Sequence, residues 1–370
     1  MVTTAEAIHD DTVVALSGGV DSSVTAMLLQ QQGHRLQGLF MKNWEGDDRP
    51  GYCAAEADVA DALAVCEQLG IPLNTVNLSK AYWDEVFTRF LAEYAAGNTP
   101  NPDVLCNQSI KFNAFVEHVL ELGADRVATG HYARIDRRGG RYRLLKGVDL
   151  NKDQSYFLCR LGQPQLARTL FPLGELTKPE VRRLAADAGF ITHDKKDSTG
   201  ICFIGERPFR DFLGAYLSPR PGEIHTPDGR VIGEHDGVMF YTIGQRQGLN
   251  IGGVRGADEA PWYVLDKDPE NNVLIVGQGH NHPLLYAPAL LAAEVHWVAG
   301  DVPRLPLECT AKIRYRQPDQ PCSVTGHAEG IRVTFDAPQR AITPGQYVVL
   351  YNDDECLGSA CITAIERGRQ

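Results

Sequence analysis

A glycine- and serine-rich turn is the first candidate for chemistry in this chain. Leu16–Ser23 reads LSGGVDSS, between the apolar run TVVA and a segment with helical periodicity. Gly18 and Gly19 allow backbone conformations and close approaches that a side chain would prevent. Backbone N–H groups at the start of a helix, helped by serine hydroxyls, bind phosphate oxygens. The turn therefore predicts a cradle for pyrophosphate.

The pattern of this turn narrows the class of nucleotide site. Neither GxxxxGK[ST] nor GxGxxG occurs, which disfavours an ordinary P-loop NTPase and a dinucleotide fold. SGGVDS resembles the SGGxDS motif of the PP-loop ATP pyrophosphatases. The resemblance implies an adenylating enzyme that uses ATP with Mg²⁺ and releases pyrophosphate, with Asp21 holding Mg²⁺ or orienting phosphate. It assigns the ATP site to Ala15, Leu16, Ser17, Gly18, Gly19, Val20, Asp21, Ser22, Met41 and Gly130.

Cys106 is a candidate nucleophile. It lies in NPDVLCNQSIKF, which reads as a turn-rich loop running into a helix over Ile110–Leu122. A cysteine near a helix N-terminus gains thiolate character, and Lys111 adds positive potential. Asp103 lies three residues earlier and could act as a general acid or base.

Cys202 is the second candidate, in KKDSTGICFIGE. Lys195 and Lys196 precede it, and Gly200 and Gly205 permit movement around it. The chain has nine cysteines and no CxxC pair, which argues against a disulfide scaffold or a zinc ribbon, and no metal site is expected. The other seven cysteines lack such neighbours and are interpreted as structural.

The two cysteine motifs, taken together, are similar to motifs of a known family. NPDVLCN followed by STGICFIGER resembles the bacterial tRNA-specific 2-thiouridylases, as do GLFMKNWE, ATGHYAR, NKDQSYFL, TIGQRQGL and TPGQYVVLY across essentially the whole chain. The resemblance implies 2-thiolation of the wobble uridine of tRNA, by adenylation of the C2 oxygen and then sulfur transfer. Cys202 would receive persulfide sulfur from a protein donor, and Cys106 would work with it as nucleophile, the two forming a disulfide during turnover. Asp103 would contact the base and assist proton transfer.

The same resemblance predicts the tRNA contacts. They are Asn101, Pro102, Asp103, His131, Lys152, Asp153, Gln154, Arg314, Tyr315 and Gln346. A structural role for His131, and an ordinary pair on a barrel strand for Arg314 and Tyr315, remain alternatives. The net charge is −11, yet residues 131–183 hold 12 Lys and Arg against 5 Asp and Glu. This stretch is a candidate footprint for the phosphate backbone, or else a solvated face laced with ion pairs.

The predicted secondary structure changes along the chain from alternating strands and helices to mainly β segments. Strands are predicted over Thr12–Leu16, Leu36–Phe40, Leu73–Leu78 and Arg126–Thr129, and helices over Ser22–Gln32, Ala54–Leu69 and Ala81–Ala96. This alternation indicates an α/β domain with a parallel sheet. The motif TKPE opens a further helix at Thr177 that ends before Gly189. Short β segments from about Gly222 and period-2 segments such as CTAKIRYR, GIRVTF and QYVVLY predict a small central mainly-β domain and a C-terminal antiparallel β-barrel. The predicted limits are 1–205, 206–285 and 286–370.

Several function classes are disfavoured. No run of about 18 apolar residues occurs and the N-terminus does not read as a secretory signal, so we expect a cytoplasmic protein without a membrane partner. Two rivals remain. A PP-loop enzyme that joins an amine would need no paired cysteines, and a redox-sensing RNA-binding protein would bind ATP without releasing pyrophosphate in the presence of tRNA.

Overall fold

The computed structural model describes residues 11–46, 53, 55–197, 208–252 and 259–368. In chain order the strands are β1 (Asp11–Ala15), β2 (Arg35–Lys42), β3 (Leu73–Asn77), β4 (Arg126–Ala128), β5 (Ala133–Arg138), β6 (Arg141–Lys146), β7 (Thr169–Leu170), β8 (Gly222–His225), β9 (Val231–His235), β10 (Trp262–Asp268), β11 (Val273–Gln278), β12 (Tyr286–Trp297), β13 (Leu307–Lys312), β14 (Gln320–His327), β15 (Gly330–Arg340), β16 (Tyr347–Asn352) and β17 (Glu355–Glu366). The α-helices are α1 (Val20–Gln31), α2 (Glu56–Leu69), α3 (Ser79–Tyr82), α4 (Thr88–Ala95), α5 (Pro102–Leu105), α6 (Phe115–Glu121), α7 (Gln163–Arg168), α8 (Lys178–Asp187) and α9 (Phe209–Gly214). Two π-helical stretches, Trp83–Phe87 and Cys106–Ala114, join α3 to α4 and α5 to α6.

The N-terminal domain contains the predicted parallel sheet. Its strand order is β3-β2-β1-β4-β7, and every pairing in it is parallel. The central strand β1 buries Val13 and Val14 completely, because helices cover both faces of the sheet. The carboxyl ends of β1 and β4 meet at one edge, where ligands of open parallel sheets bind.

Two β assemblies follow, as predicted, the first with one parallel pairing (β8 with β11) and the second antiparallel throughout. A four-stranded sheet in the order β10-β11-β8-β9 forms the small central domain. The strands β12-β15-β14-β13-β16-β17 form a barrel, closed by pairing of β12 with β17. Its core consists of apolar side chains that alternate along the strands, among them Leu290, Val324 and Val348. The predicted α/β, central β and C-terminal barrel architecture is confirmed.

A hairpin of the N-terminal domain extends the barrel sheet. Strands β5 and β6 pair with each other, and β6 then pairs with β17 through Leu144 opposite Cys356 and Leu145 opposite Glu355. Arg141 and Arg143 of the hairpin form ion pairs with Glu355. The first and last domains therefore share one continuous sheet.

Two predicted elements differ from the structure. The helix expected from Ile110 begins at Pro102, because Asn101 caps its first turn and a proline is suited to the first helical position. Cys106 therefore lies within a helix and not in a loop ahead of one. The strand expected through KIRYR ends at Lys312, because Ile313 N–H donates to the Gln317 side chain (2.9 Å) instead of a neighbouring strand.

Over the parts of the chain that the structure describes, none of the helices is long and apolar enough to cross a bilayer.

Candidate active site

The glycine turn lies between β1 and α1 as predicted. Gly18 has a φ of +71°, and a Cβ at this position would meet the Asp58 carbonyl oxygen at 2.3 Å. Only glycine fits there. The hydroxyls of Ser22 and Ser23 donate to the carbonyl oxygen of Gly19 at 3.0 and 2.9 Å, which braces the turn against the first turn of α1.

Gly130 follows β4 and approaches the same turn. A Cβ on Gly130 would lie 3.0 Å from both the backbone carbon and the Cβ of Asp21. Met41 lies near the end of β2, two residues beyond the Leu39 that pairs with Ala15 of β1. The predicted ATP-site residues from Ala15 to Ser22, together with Met41 and Gly130, thus surround the carboxyl ends of three adjacent strands.

Lys178, a residue that the sequence analysis missed, lies against the glycine turn Leu16–Ser23, called the phosphate turn below after its predicted role. The Nζ atom of Lys178 is 2.7 and 2.8 Å from the two carboxylate oxygens of Asp21, and Tyr132 Oη donates to the same carboxylate at 2.8 Å. Lys178 is only 7 % exposed. It occupies the first helical position of α8, and the motif TKPE indicates only the start of that helix.

Lys178 also connects the phosphate turn to Asp197. Its Nζ lies 2.8 Å from an Asp197 oxygen, and Lys152 and Arg182 approach the same carboxylate at 2.5 and 2.7 Å. Partial burial opposes ionisation of Asp197, but hydrogen bonds from Lys152 and Lys178 outweigh it and lower the pKa to about 2. Asp21, Lys178 and Asp197 therefore form one charge network.

Lys195 braces the turn from the other side. Its Nζ donates to the Gly18 carbonyl oxygen at 2.9 Å and to the carboxylates of Asp58 and Asp61 at 2.7 and 2.5 Å. Cys202, with Gly200 and Gly205, lies outside the described residues.

Asp103 and Cys106 share a helix whose start is fixed. The side chain of Asn101 accepts a hydrogen bond from Val104 N–H at 3.4 Å. The backbone changes to π-helical winding at Cys106, a feature frequent at functional sites. Cys106 is 2 % exposed and packs among apolar side chains that include Phe87, Leu105 and Ile110.

Comparison with known proteins assigns a family to this arrangement. A family model described as the tRNA methyl transferase HUP domain matches residues 10–206, a PRC-barrel model of the same series matches 210–278, and an aminomethyltransferase beta-barrel model matches 288–362. The tRNA-specific 2-thiouridylase MnmA of Methylococcus capsulatus is 62 % identical over 95 % of this chain and 95 % of its own length. Proteins of the same name from Pseudomonas fluorescens and Pseudomonas aeruginosa are 60 % and 59 % identical over 96 % of this chain, and over 95 % and 94 % of their own lengths. This chain belongs to the tRNA-specific 2-thiouridylase family.

His131 of this thiouridylase-family chain is partly buried beside the phosphate turn. Its Nδ1 lies 2.7 Å from Thr129 Oγ1, and its ring contacts the rings of Phe112 and Phe171. Burial lowers the pKa of His131 well below its usual range, and Lys111 lowers it further, so the ring is neutral.

The three predicted tRNA contacts in NKDQS have internal partners in the thiouridylase fold. Asp153 is 3 % exposed and accepts from the N–H groups of Gly147 and Ser155 at 3.1 and 3.0 Å. Gln154 accepts from Tyr132 N–H at 2.9 Å, and Lys152 pairs with Asp197. These side chains brace the segment between the phosphate turn and the barrel.

Arg314 and Tyr315 lie in a turn after β13, not on a barrel strand. Arg314 donates to the Arg340 carbonyl oxygen at 3.2 Å, and the Tyr315 ring lies against that of Phe157, with centroids 4.5 Å apart. Tyr315 therefore packs toward the segment that carries the NKDQS motif.

The cysteines interpreted as structural differ among themselves. Cys159 and Cys356 are fully buried, which raises the pKa of Cys159 to about 12 and that of Cys356 well above its usual range. Cys309 and Cys322 face each other across β13 and β14, with their Sγ atoms 3.8 Å apart. The two thiols of the thiouridylase barrel are thus in van der Waals contact with each other.

Proposed function

We propose that this chain, an enzyme of the sulfurtransferase class by its family, uses ATP to convert the wobble uridine of tRNA to 2-thiouridine in the cytoplasm. The observation that supports the first step is the Asp21 carboxylate, held by the buried ammonium of Lys178 at the glycine turn. A charged pair fixed beside backbone N–H groups is a preorganised environment for polyphosphate.

The residues fit ATP bound with Mg²⁺. Asp21 supplies a carboxylate at the turn, and Mg²⁺ is commonly held by one or two carboxylates together with phosphate oxygens. Nowhere in the described chain do three or more His, Cys, Asp or Glu side chains form a group able to hold a metal by themselves. The ion, when bound with ATP, supplies charge neutralisation on the phosphates. Gly18, Gly19 and Lys178 would contact the pyrophosphate that leaves.

Adenylation makes the C2 oxygen of uridine a leaving group. The C2 oxygen attacks the α-phosphorus of ATP, the bond to the β-phosphate oxygen breaks, and pyrophosphate departs. Sulfur then attacks C2, and AMP leaves with the former C2 oxygen. Asp103, three residues before Cys106, would handle the proton of the base.

The sulfur would arrive as a persulfide on Cys202 from a protein donor. In one route the Cys106 thiolate attacks Cys202 Sγ and expels hydrosulfide, which attacks C2. In the other route the terminal persulfide sulfur attacks C2 first, and Cys106 then cleaves the bond to Cys202. Both routes oxidise the two cysteines to one disulfide, so an external thiol must reduce it before the next turnover.

The decisive experiment measures both halves of the reaction. Incubation with ATP, Mg²⁺, sulfide and unmodified tRNA should release pyrophosphate and give 2-thiouridine on nucleoside analysis. With a persulfide donor, Cys202→Ser should release pyrophosphate but form no 2-thiouridine, whereas Cys106→Ser should retain the extra sulfur on Cys202. Cys361→Ser, in the barrel, is the matched control. Thiolation at the wild-type rate by Cys202→Ser would overturn the assignment of the sulfur carrier.

A further inference from the structure

Three domains meet at Thr99, just ahead of the helix that carries Asp103 and Cys106. Thr99 N–H donates to the carbonyl oxygen of Pro344, in the turn before β16 of the barrel, at 3.0 Å. Its Oγ1 lies 3.3 Å from Oγ1 of Thr242 in the central domain. The start of this helix is thus in contact with both other domains.

Gln346 uses both ends of its side-chain amide on this segment. Its Nε2 donates to the carbonyl oxygens of Thr99 and Pro100 at 2.8 and 3.3 Å, and its Oε1 accepts from Asn101 Nδ2 at 3.5 Å. Because carbonyl oxygens only accept, these contacts fix which end of the amide is which. Asn101 is itself the helix cap, through its Oδ1 and the N–H of Val104.

The barrel turn that presents Gln346 is rigid and closely fitted. Gly345 has a φ of +90°, and a Cβ there would lie 3.0 Å from the backbone N, C and O atoms of Thr99. Gly345 N–H donates to the main-chain carbonyl oxygen of Ile362 in β17 at 2.9 Å, and Ile362 N–H donates back to the main-chain carbonyl oxygen of Gln346 at 2.8 Å. The position of the turn is therefore set by the barrel and transmitted to residues 99–101.

We propose that Gln346 is a positioning residue that sets, from the barrel, the start of the helix bearing Asp103 and Cys106. The importance of those two groups rests on the function proposed above. A displacement of about 1 Å at a reacting group can lower the rate roughly 100-fold, so a helix start fixed by another domain matters for chemistry. Through the contacts of Gln346, the barrel holds the start of the helix that carries Asp103 and Cys106 in place before any tRNA is bound.

Gln346→Met tests this in the protein without tRNA or ATP. Methionine keeps the length of the side chain but removes the hydrogen bonds that the Gln346 amide makes to residues 99–101, while the backbone bond from Thr99 to Pro344 stays. We expect alkylation of Cys106 by iodoacetamide, measured by peptide mass spectrometry, to rise about fivefold because the helix start loosens. Cys66, whose burial raises its pKa to about 11, is the internal control and should stay protected. Gln320→Met, in the same barrel, should leave Cys106 alkylation unchanged.

Thiolation kinetics provide the second readout. Gln346→Met should lower kcat about tenfold while the KM for tRNA changes less than about twofold. A raised KM with unchanged kcat and unchanged Cys106 alkylation would overturn the proposal and leave Gln346 as a tRNA contact only. An equal rise at Cys66 would also overturn it, because the effect would then be general unfolding.

The alkylation readout is separate from the proposed function. If the wild type formed no 2-thiouridine, the labelling of Cys106 would still decide whether Gln346 fixes the helix. Should Gln346→Met not fold, Gln346→Glu keeps the size of the side chain and the acceptor for Asn101 but removes the Nε2 donor to Thr99 and Pro100. It should raise Cys106 alkylation by a smaller factor, and no rise would contradict the positioning role of Gln346.

Discussion

The ammonium group of Lys178 lies 2.7 and 2.8 Å from the two carboxylate oxygens of Asp21, although 157 residues separate them in the chain. Breaking a buried ion pair by removing one partner is costly, because the other charge stays behind without compensation. A substitution of Asp21 or of Lys178 should therefore keep the size of the side chain, so that the loss of charge is the main change.

Asp21→Asn should abolish adenylation and keep the fold. The asparagine amide removes the negative charge but keeps an oxygen that accepts hydrogen bonds from Tyr132 and Lys178. Alanine would remove that acceptor as well. We expect pyrophosphate release in the presence of tRNA to fall about 100-fold or more. Asp187→Asn, at the exposed end of α8, is the control. Wild-type pyrophosphate release by Asp21→Asn would contradict the adenylation step.

Lys178→Met should affect both stability and the first half-reaction. Asp21 and Asp197 lose their shared cation, and we expect the free energy of unfolding to fall by about 2 kcal/mol, less than for a fully buried pair because both carboxylates are partly solvated. Pyrophosphate release should also slow. Arg183→Met changes an exposed cation of the same helix, paired with Asp187 at 3.7 Å, and should change the unfolding free energy by under about 1 kcal/mol. Equal effects of the two substitutions would argue against a special role for Lys178.

Asp197 should give the protein a specific acid sensitivity. Its pKa is lowered to about 2 in the folded protein, against about 3.9 for an unfolded aspartate. Its stabilising contribution is therefore complete above about pH 4 and is lost as the pH falls toward 2. Denaturant unfolding should show Asp197→Asn less stable than wild type at pH 7, with the difference shrinking at pH 3. A difference that does not change with pH would refute this assignment.

Lys152→Ala tests whether the basic stretch contacts tRNA phosphates. If it does, tRNA affinity should fall and the slope of log K against log salt should decrease by about one. If Lys152 serves only its ion pair with Asp197, the salt slope stays the same and only the rate of thiolation at saturating tRNA falls. Arg304→Ala, which removes an exposed cation outside residues 131–183, is the control.

Oxidation should produce a disulfide within the barrel. Cys309 and Cys322 are directly opposite on adjacent strands, with Sγ atoms 3.8 Å apart, so rotation of the two side chains has to bring the sulfur atoms to the bond length of about 2.05 Å. Hydrogen peroxide would take two electrons from the pair and form two waters. A non-reducing digest should find this crosslink in wild type and not in Cys309→Ser. The Cys106–Cys202 crosslink is therefore best sought in Cys309→Ser, and intact thiols at 309 and 322 after oxidation would contradict the prediction.

Local signals predict where the glycine turn lies, because the residues that define it are within eight consecutive positions between β1 and α1. Gly18, Gly19 and Asp21 can be identified as candidates from the neighbouring strand and helix alone. Lys178 could not be found in this way, because nothing near TKPE indicates that its first helical position reaches Asp21.

Other differences have identifiable physical causes. The early start of the helix at Pro102 had a signal in the Asn–Pro pair, an N-cap followed by a proline at the first helical position. The end of β13 at Lys312 had none, because alternation continues through KIRYR while Gln317 takes the backbone out of the ladder. The contact of Gln346 with Thr99 joins residues some 250 positions apart and depends on the packing of whole domains.

The hairpin β5–β6 has a consequence for how the chain is made. During synthesis β6 leaves the ribosome about 200 residues before β17, its partner, exists. Until then the nascent N-terminal domain presents the edge of a strand whose backbone groups await pairing, a feature that invites association with other chains. The C-terminal strand thus completes the first domain as well as the last one. Truncating the chain within β17 should damage the domain that was synthesised first.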